Sequence, residues 1–283
     1  MIYIFGFNQS RFYKHTTSFK ISKITNFKFI NSLKDLKINN DDVLIRYGET
    51  AHKNTDLLFR KVLNKSENIE KSKNKCISSL LLKQHNIPIP EIFFIKSDII
   101  KKDLPVLRRL KYHSRGTDII LIKKLKDLID GDYYSKFIKT DLEYRVHVFN
   151  NEAIRIQKKV PKKGIKKTFI HNFENGYLLR DNFEHNLKLE RNLISLSISS
   201  IKAIGLDFGA VDILISKERK PYVLEVNSAP RLNKYGRQLY SLYFLQYLGL
   251  PFDFTLFPRV KLNEGRYSNG LPIRFREIIK NEH

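Results

Sequence analysis

Two short apolar runs, Phe208–Ser216 and Tyr222–Asn227, constrain this chain more than any other feature, because each carries acid or amide side chains inside a stretch that otherwise reads as buried strand. In full the segment runs Gly205-Leu-Asp-Phe-Gly-Ala-Val-Asp212-Ile-Leu and then Val223-Leu-Glu225-Val-Asn227-Ser-Ala-Pro230, with Lys217-Glu218-Arg219-Lys220 as a charged turn between the runs. Residues two apart on a strand face the same side, so Glu225 and Asn227 present their oxygens together. Asp212, on the neighbouring strand of the same hairpin, adds a second carboxylate. Any one of the three has an ordinary structural reading, a strand-end cap or a lysine pair. Three oxygen donors in this order suit a hard cation such as Mg²⁺ held together with phosphates.

The rest of the chain supplies an α/β setting for that hairpin. Ile2–Phe7 and Val43–Arg46 read as strands of a small α/β lobe, and residues 66–85 carry Ile77, Leu80, Leu81 and Leu82 at helical spacing until Ile87-Pro88-Ile89-Pro90 ends the helix. From Pro105 the pattern turns to strands: Pro105–Leu110, Ile119–Ile122, Tyr133–Ile138, and a hairpin of Glu143–Phe149 and Glu152–Val160 turning at Asn150-Asn151. Glu143, Arg145 and His147 share one face of that hairpin's first arm. Helices are expected at 185–204 and 234–247. The resulting division is residues 1–70 as an N-terminal lobe, 71–140 and 141–250 as two central subdomains, and 251–283 as an extension.

Composition narrows the classes. The 283 residues hold 52 Lys and Arg against 29 Asp and Glu, a formal charge of +23 that attracts polyanions such as nucleic acid or acidic proteins. One cysteine, Cys76, excludes an internal disulfide framework and fits a reducing, cytoplasmic setting. No apolar run reaches the roughly twenty residues that span a bilayer, so no membrane partner is expected. Gly-x-Ser-x-Gly, zinc-spaced histidines and a Cys/His pair in credible context are all missing.

Asp212…Glu225-x-Asn227-x-x-Pro230 resembles the metal-binding end of ATP-grasp enzymes, among them D-alanine:D-alanine ligases and the glutamate ligases that modify ribosomal protein tails. The resemblance extends from about residue 74 to 240 and implies an ATP-grasp fold preceded by a small α/β lobe. It implies two Mg²⁺ ions held against ATP phosphates by Asp212, Glu225 and Asn227. Asn74-Lys75 resembles the Asp-Lys step whose lysine contacts a phosphate, and Pro105-Val-Leu-Arg108-Arg109 the strand whose terminal lysine bridges phosphates and adenine, here Arg109. His113-Ser-Arg115-Gly116-Thr-Asp118 occupies the position of the glycine-rich flap, with Gly116 as its one glycine. Tyr133-Tyr-Ser-Lys136-Phe137-Ile138 resembles the hinge that recognises adenine through backbone groups, with Lys136 in place of the customary glutamate. Glu143-Tyr-Arg145 resembles the step in which the acid binds ribose and the arginine meets phosphate or acyl phosphate. Lys158 or Lys159 stands where another basic nucleotide contact is placed; the two adjacent lysines leave the register undecided, and Lys158 is named as the contact. Ala210 replaces an arginine found in D-alanine ligases and is shared with the glutamate-ligase branch. Arg231 either reaches the acceptor or caps the last helix, and Asn172 and Asn175-Gly176 read as a plain turn or a nucleotide contact.

The implied activity is ATP-dependent joining of a carboxylate to an amine through an acyl phosphate, with Arg109, Arg145 and Arg231 at the reacting groups and small-molecule or peptide substrates. The alternative, drawn from the charge, is a basic nucleic-acid-binding or ribosome-associated protein whose nucleotide site is not catalytic. An enzyme that adds amino acids to an acidic protein tail joins the two.

Overall fold

The structure is a computed structural model, and it describes residues 1–6, 13–34, 36–112, 116, 118–140, 142–166, 168–181 and 187–253. His113, Arg115 and the chain from residue 254 onward, part of the expected extension, lie outside the described residues. In chain order the elements are β1 (Ile2–Gly6), α1 (Thr17–Thr25), β2 (Lys28–Ile30), β3 (Val43–Tyr47), β4 (Lys61–Leu63), α2 (Ser66–Lys73), α3 (Lys75–Gln84) and β5 (Ile92–Phe93). They continue with β6 (Val106–Arg109), β7 (Ile120–Ile122), β8 (Tyr133–Lys136), β9 (Leu142–Phe149), β10 (Glu152–Pro161), β11 (Tyr177–Arg180), α4 (Leu187–Ile204), β12 (Phe208–Ile215), β13 (Pro221–Asn227) and α5 (Lys234–Tyr247). Among them no helix is long and apolar enough to cross a membrane.

The chain divides into two compact units. One gathers residues 1–70, 205–209 and 228 onward. Its sheet has the order β2-β1-β3-β4 with every pair parallel. Parallel strands buried on both faces read as continuous apolar runs, which is how Val43–Tyr47 reads, fully buried along its length. Tyr3, Phe5, Ile30, Leu33, Leu44 and Phe59 form the core here. Helix α5 packs against α1, so the last helix joins the N-terminal lobe in this unit.

The other unit comprises residues 71–204 and 210–227. It holds an antiparallel sheet of order β5-β8-β6-β7, filled by Ile99, Val106, Ile122 and Tyr134, and a larger sheet of order β11-β10-β9-β12-β13. Helix α4 packs on β9, β10 and β13, and buries Leu193, Ser197, Ser200, Ile201 and Ile204. The two serine hydroxyls donate to the Leu193 and Leu196 carbonyls at 2.7 Å, so their burial costs little.

The single helix expected over 66–85 is in fact two. Asn74 is extended (φ −77, ψ 103), and its Oδ1 accepts from the amides of Cys76 (3.1 Å) and Ile77 (3.2 Å). An asparagine that caps a new first turn ends the old helix, which periodicity alone does not register. The cap also sets Lys75 at the head of α3.

Candidate functional site

The polar face of the β9–β10 hairpin supplies the first layer of the site. Tyr144, Val146 and Val148 are buried in the opposite face, leaving Glu143, Arg145 and His147 together. Asn150 and Asn151 turn the hairpin with φ of 44 and 65, as a two-residue turn of this hand requires. Next to the turn Phe149 pairs with Glu152, but a bulge between Ala153 and Arg155 advances the register by one, so that Arg145 faces Gln157 and Tyr144 faces Lys158. Lys159, and not Lys158, therefore comes opposite Glu143. Its ammonium bonds the Glu143 carboxylate and lies 2.8 Å from Asp212 Oδ2.

Strands β12 and β13 bring the acids to the same place. Asp212 pairs with Glu225 and Ala210 with Asn227 across the ladder. Arg145 grips Asp212 with two parallel bonds, Nε to Oδ1 at 2.7 Å and Nη2 to Oδ2 at 2.8 Å. Lys75 Nζ donates to Glu225 Oε1 at 2.6 Å. Burial alone pushes the Asp212 carboxyl up, yet Arg145 and Lys159 outweigh it and hold Asp212 far below the usual carboxylate range. Glu225 is lowered in the same way, against burial, by Lys75. Burial opposes charge on Arg145 and Lys159 as well, but the Asp212 carboxylate keeps both pKa values raised. Glu143, Lys159, Asp212 and Arg145 thus form one charge-alternating chain, and Lys75–Glu225 stands beside it.

His171, which sequence reasoning did not single out, closes the chain at its other end. Its ring is buried and stacks on Tyr177 with centroids 4.5 Å apart, and its Nδ1 lies 2.9 Å from Glu143 Oε2. No periodicity marks a histidine in an irregular loop. That loop is held as a turn: Asn172 Oδ1 accepts from Asn175 N at 2.8 Å, Gly176 N donates to Phe173 O at 3.0 Å, and Tyr177 N to Asn172 O at 2.9 Å.

Gly116 sits at φ +71, and a Cβ there would meet Ile170 Cγ2 at 2.5 Å and Asn172 Nδ2 at 3.3 Å, so backbone and loop approach at a distance only glycine allows. Phe137 and Ile138 follow β8 half-buried. The Phe137 amide donates to Pro105 O at 3.0 Å, and its ring meets Phe169 edge-on at 5.8 Å. Lys136, Phe137 and Ile138 line a cavity of about 800 Å³ together with Ile87 to Ile92 and Tyr222. The Lys136 ammonium reaches the Lys102 carbonyl at 3.4 Å and stands apart from the charged chain. Arg109 lies with its guanidinium 5.7 Å over the Tyr133 ring, and its buried Nε has no partner. Burial pushes the Tyr133 hydroxyl up to about 12 despite Arg109.

His147 faces Arg155 and hydrogen-bonds Gln157 through Nε2 at 3.2 Å. Burial, then the charges of Arg155 and Arg145, hold its pKa well below normal. Arg231 is exposed ahead of α5 in the first unit, and the cap of that helix is Asn233, whose Oδ1 accepts from Gly236 N at 2.8 Å.

Among the described residues no group of three His, Cys, Asp or Glu is arranged to hold a metal, so any cation here would depend on two carboxylates and an amide. The donor chemistry fits a hard ion: Asp212 and Glu225 are neighbours across the ladder, and Asn227 Nδ2 is buried without a partner. The two ends of an amide are interchangeable in such a position, and the unpartnered end is the one whose oxygen a cation would take.

Known proteins resemble this chain in sequence and in fold. The chain is 27% identical over 205 residues to a probable alpha-L-glutamate ligase of Parasynechococcus marenigrum (strain WH8102), covering 66% of this chain and 42% of that one. It is 26% identical over 205 residues to a probable alpha-L-glutamate ligase of Vibrio vulnificus (strain YJ016), covering 66% and 65%. It therefore spans less than two thirds of the length of these curated relatives. In structure it is similar to D-alanine–D-alanine ligase from Bacillus anthracis complexed with ATP, with a TM-score of 0.58 and 16% identity over 83% of this chain and 87% of that one. That likeness gives the fold, ATP-grasp. The RimK-like ATP-grasp domain model matches residues 72–241, more than half of the chain, and to that family this protein belongs.

Proposed function

We propose that this protein binds ATP with Mg²⁺ and uses the γ-phosphate to activate a carboxylate for attack by an amine. The observation that carries the reading is the meeting of three cations, Lys75, Arg145 and Lys159, with three carboxylates, Glu143, Asp212 and Glu225, at one end of one sheet. Family membership and the names of the relatives support it.

In this reading Asp212, Glu225 and Asn227 would hold Mg²⁺, two ions in all, which would supply charge neutralisation to the phosphates. Lys75, Arg145 and Lys159 would exchange protein carboxylates for phosphate oxygens, and Arg109, over the Tyr133 ring, would offer its guanidinium to phosphate. Glu143 takes the ribose hydroxyls, the backbone of Lys136, Phe137 and Ile138 takes adenine, and the amide of Gly116 covers the phosphates. A substrate carboxylate oxygen attacks the γ-phosphorus as the bond to the β-phosphate oxygen breaks, releasing ADP and leaving an acyl phosphate. The amine then attacks the acyl carbon, phosphate departs, and a proton leaves the nitrogen. No protein nucleophile enters. The chain's part is alignment and charge, with Arg145 beside the transferred group. The carboxylate and amine are a small molecule or peptide.

Calorimetric titration with ATP in Mg²⁺ tests the reading, comparing the unmodified protein with Glu225→Gln and Asn227→Ala. Binding that is lost or much weakened in both variants supports it and justifies screening carboxylate and amine pairs for ADP release. An unmodified protein that binds no ATP in Mg²⁺ ends it.

A further inference from the structure

A residue outside the charged chain bonds to the start of β12 and to the residue after β13. Asn64 follows β4, is fully buried, and has a left-handed backbone with φ 57. Its Oδ1 accepts from the amides of Asp207 (2.8 Å) and Phe208 (3.2 Å), and its Nδ2 donates to the carbonyls of Phe208 (3.0 Å) and Ser228 (3.4 Å). Its own backbone amide donates to Asp207 Oδ2 at 2.6 Å. All of these partners belong to the same compact unit as Asn64. Phe208 is the first residue of β12 and Ser228 the first after β13, so one amide group bridges the entry of the strand bearing Asp212 and the exit of the strand ending in Asn227.

The ladder between those strands explains why such a bridge matters. Ala210 to Asp212 pair with Asn227 to Glu225 in one register, whereas Ile213 to Ile215 pair with Val223 to Pro221 in a register shifted by one. A one-residue slip moves every side chain to the opposite face. The shift lies between Asp212 and the turn, so the turn does not determine which β13 residue faces Asp212. On the open-end side of the shift, β13 is held by the Ser72 hydroxyl on Val226 O (2.7 Å), and the two strand ends are bridged by Asn64.

We infer that Asn64 is a positioning residue that fixes the offset of β12 against β13 and so assembles Asp212, Glu225 and Asn227 into one donor set. The inference rests on the metal and nucleotide reading above. The position needs a group that accepts from the amides of one strand and donates to carbonyls of both, at positive φ. Asparagine supplies all of this. Aspartate lacks the donors, and glycine suits the backbone but has no amide side chain.

The test is the Mg²⁺ dependence of ATP binding, measured by calorimetry well below each variant's thermal unfolding. Asn64→Ala, and Asn64→Gly as the variant that keeps the left-handed backbone without strain, should raise the Mg²⁺ needed for half-saturation by about tenfold or more, as losses of groups that orient metal ligands do. Metal-free ATP affinity should stay unchanged. Tyr240→Phe removes a buried bond to Gly209 O (3.0 Å) without bridging the strands, and should leave the Mg²⁺ dependence alone. Unchanged Mg²⁺ dependence in the Asn64 variants, or an equal shift in Tyr240→Phe, overturns the inference. So does failure of both Asn64 variants to fold, which would make the residue a folding requirement. If the unmodified protein binds no Mg²⁺ and ATP, the functional reading fails and takes the inference with it. If it binds and Asn64→Ala behaves identically, the inference alone fails.

Discussion

At the scale of single residues, adjacent lysines on β10 differ in what they touch. Lys159 bonds Glu143 and Asp212, while Lys158, facing Tyr144 across the ladder, sits one position off that face. Lys159→Met should weaken ATP binding in Mg²⁺ on the order of a hundredfold, as loss of a charge that is fully engaged by partners does, whereas Lys158→Met should stay within about twofold. Titration calorimetry on the pair checks this, and equal effects would show that the bulge does not govern the site. Gly116→Ala makes a second case. The added methyl collides with Ile170 and the backbone is held at φ +71, so the approach of loop and flap must open. Nucleotide affinity should fall with little change in the unfolding midpoint of the remainder, and an unaltered dissociation constant would separate Gly116 from the nucleotide.

Elements show which parts were legible before the structure and which were not. The β9–β10 turn was readable because Asn150-Asn151 tolerates positive φ, and the alternation in β9 fixed which side chains share a face. The bulge at Ala153–Arg155 was not readable, since neither residue is a glycine and the apolar pattern continues through it, so Lys158 and Lys159 could not be told apart. Likewise the apolar spacing through 66–85 continued across Asn74, and only the cap geometry divides α2 from α3. His171 and the short parallel strands β2 and β4 had no period long enough to register. Removing the dividing cap with Asn74→Ala should cost ~1 kcal/mol in urea unfolding, with Asn74→Ser largely restoring it. The hairpin also carries a pH response. His147 is kept neutral by burial and by Arg155 and Arg145, whereas in the unfolded chain it takes up a proton below its ordinary value of about 6.5. Acid therefore favours unfolding. Stability should fall by up to ~1.4 kcal/mol for each unit of pH below about 6.5 until the folded-state value is reached. Unfolding at pH 7.5 and 5.5 should show this loss, and His147→Gln should reduce it.

Over the whole molecule the formal charge is +23, a surplus that would bind any polyanion with a steep dependence on salt. The candidate site does not share that surplus. Lys75, Arg145 and Lys159 equal Glu143, Asp212 and Glu225 in number, and each cation already holds an acid of the same set. Before any ligand arrives the site is its own internal salt. Metal entering alone would leave the displaced lysines and arginine facing a like charge, and ATP entering alone would strip the carboxylates of their partners. On the proposed reading each ligand is the counter-ion that the other's arrival demands, and ATP would exchange into the site together with two Mg²⁺ at little net charge. Calorimetry should find ATP and Mg²⁺ each tightening the other on the order of a hundredfold. The affinity of the pair should change little between low and moderate salt, while adventitious polyanion binding to the rest of the surface falls away. Independent binding of the two ligands would mean that the ion pairs are not the ones exchanged.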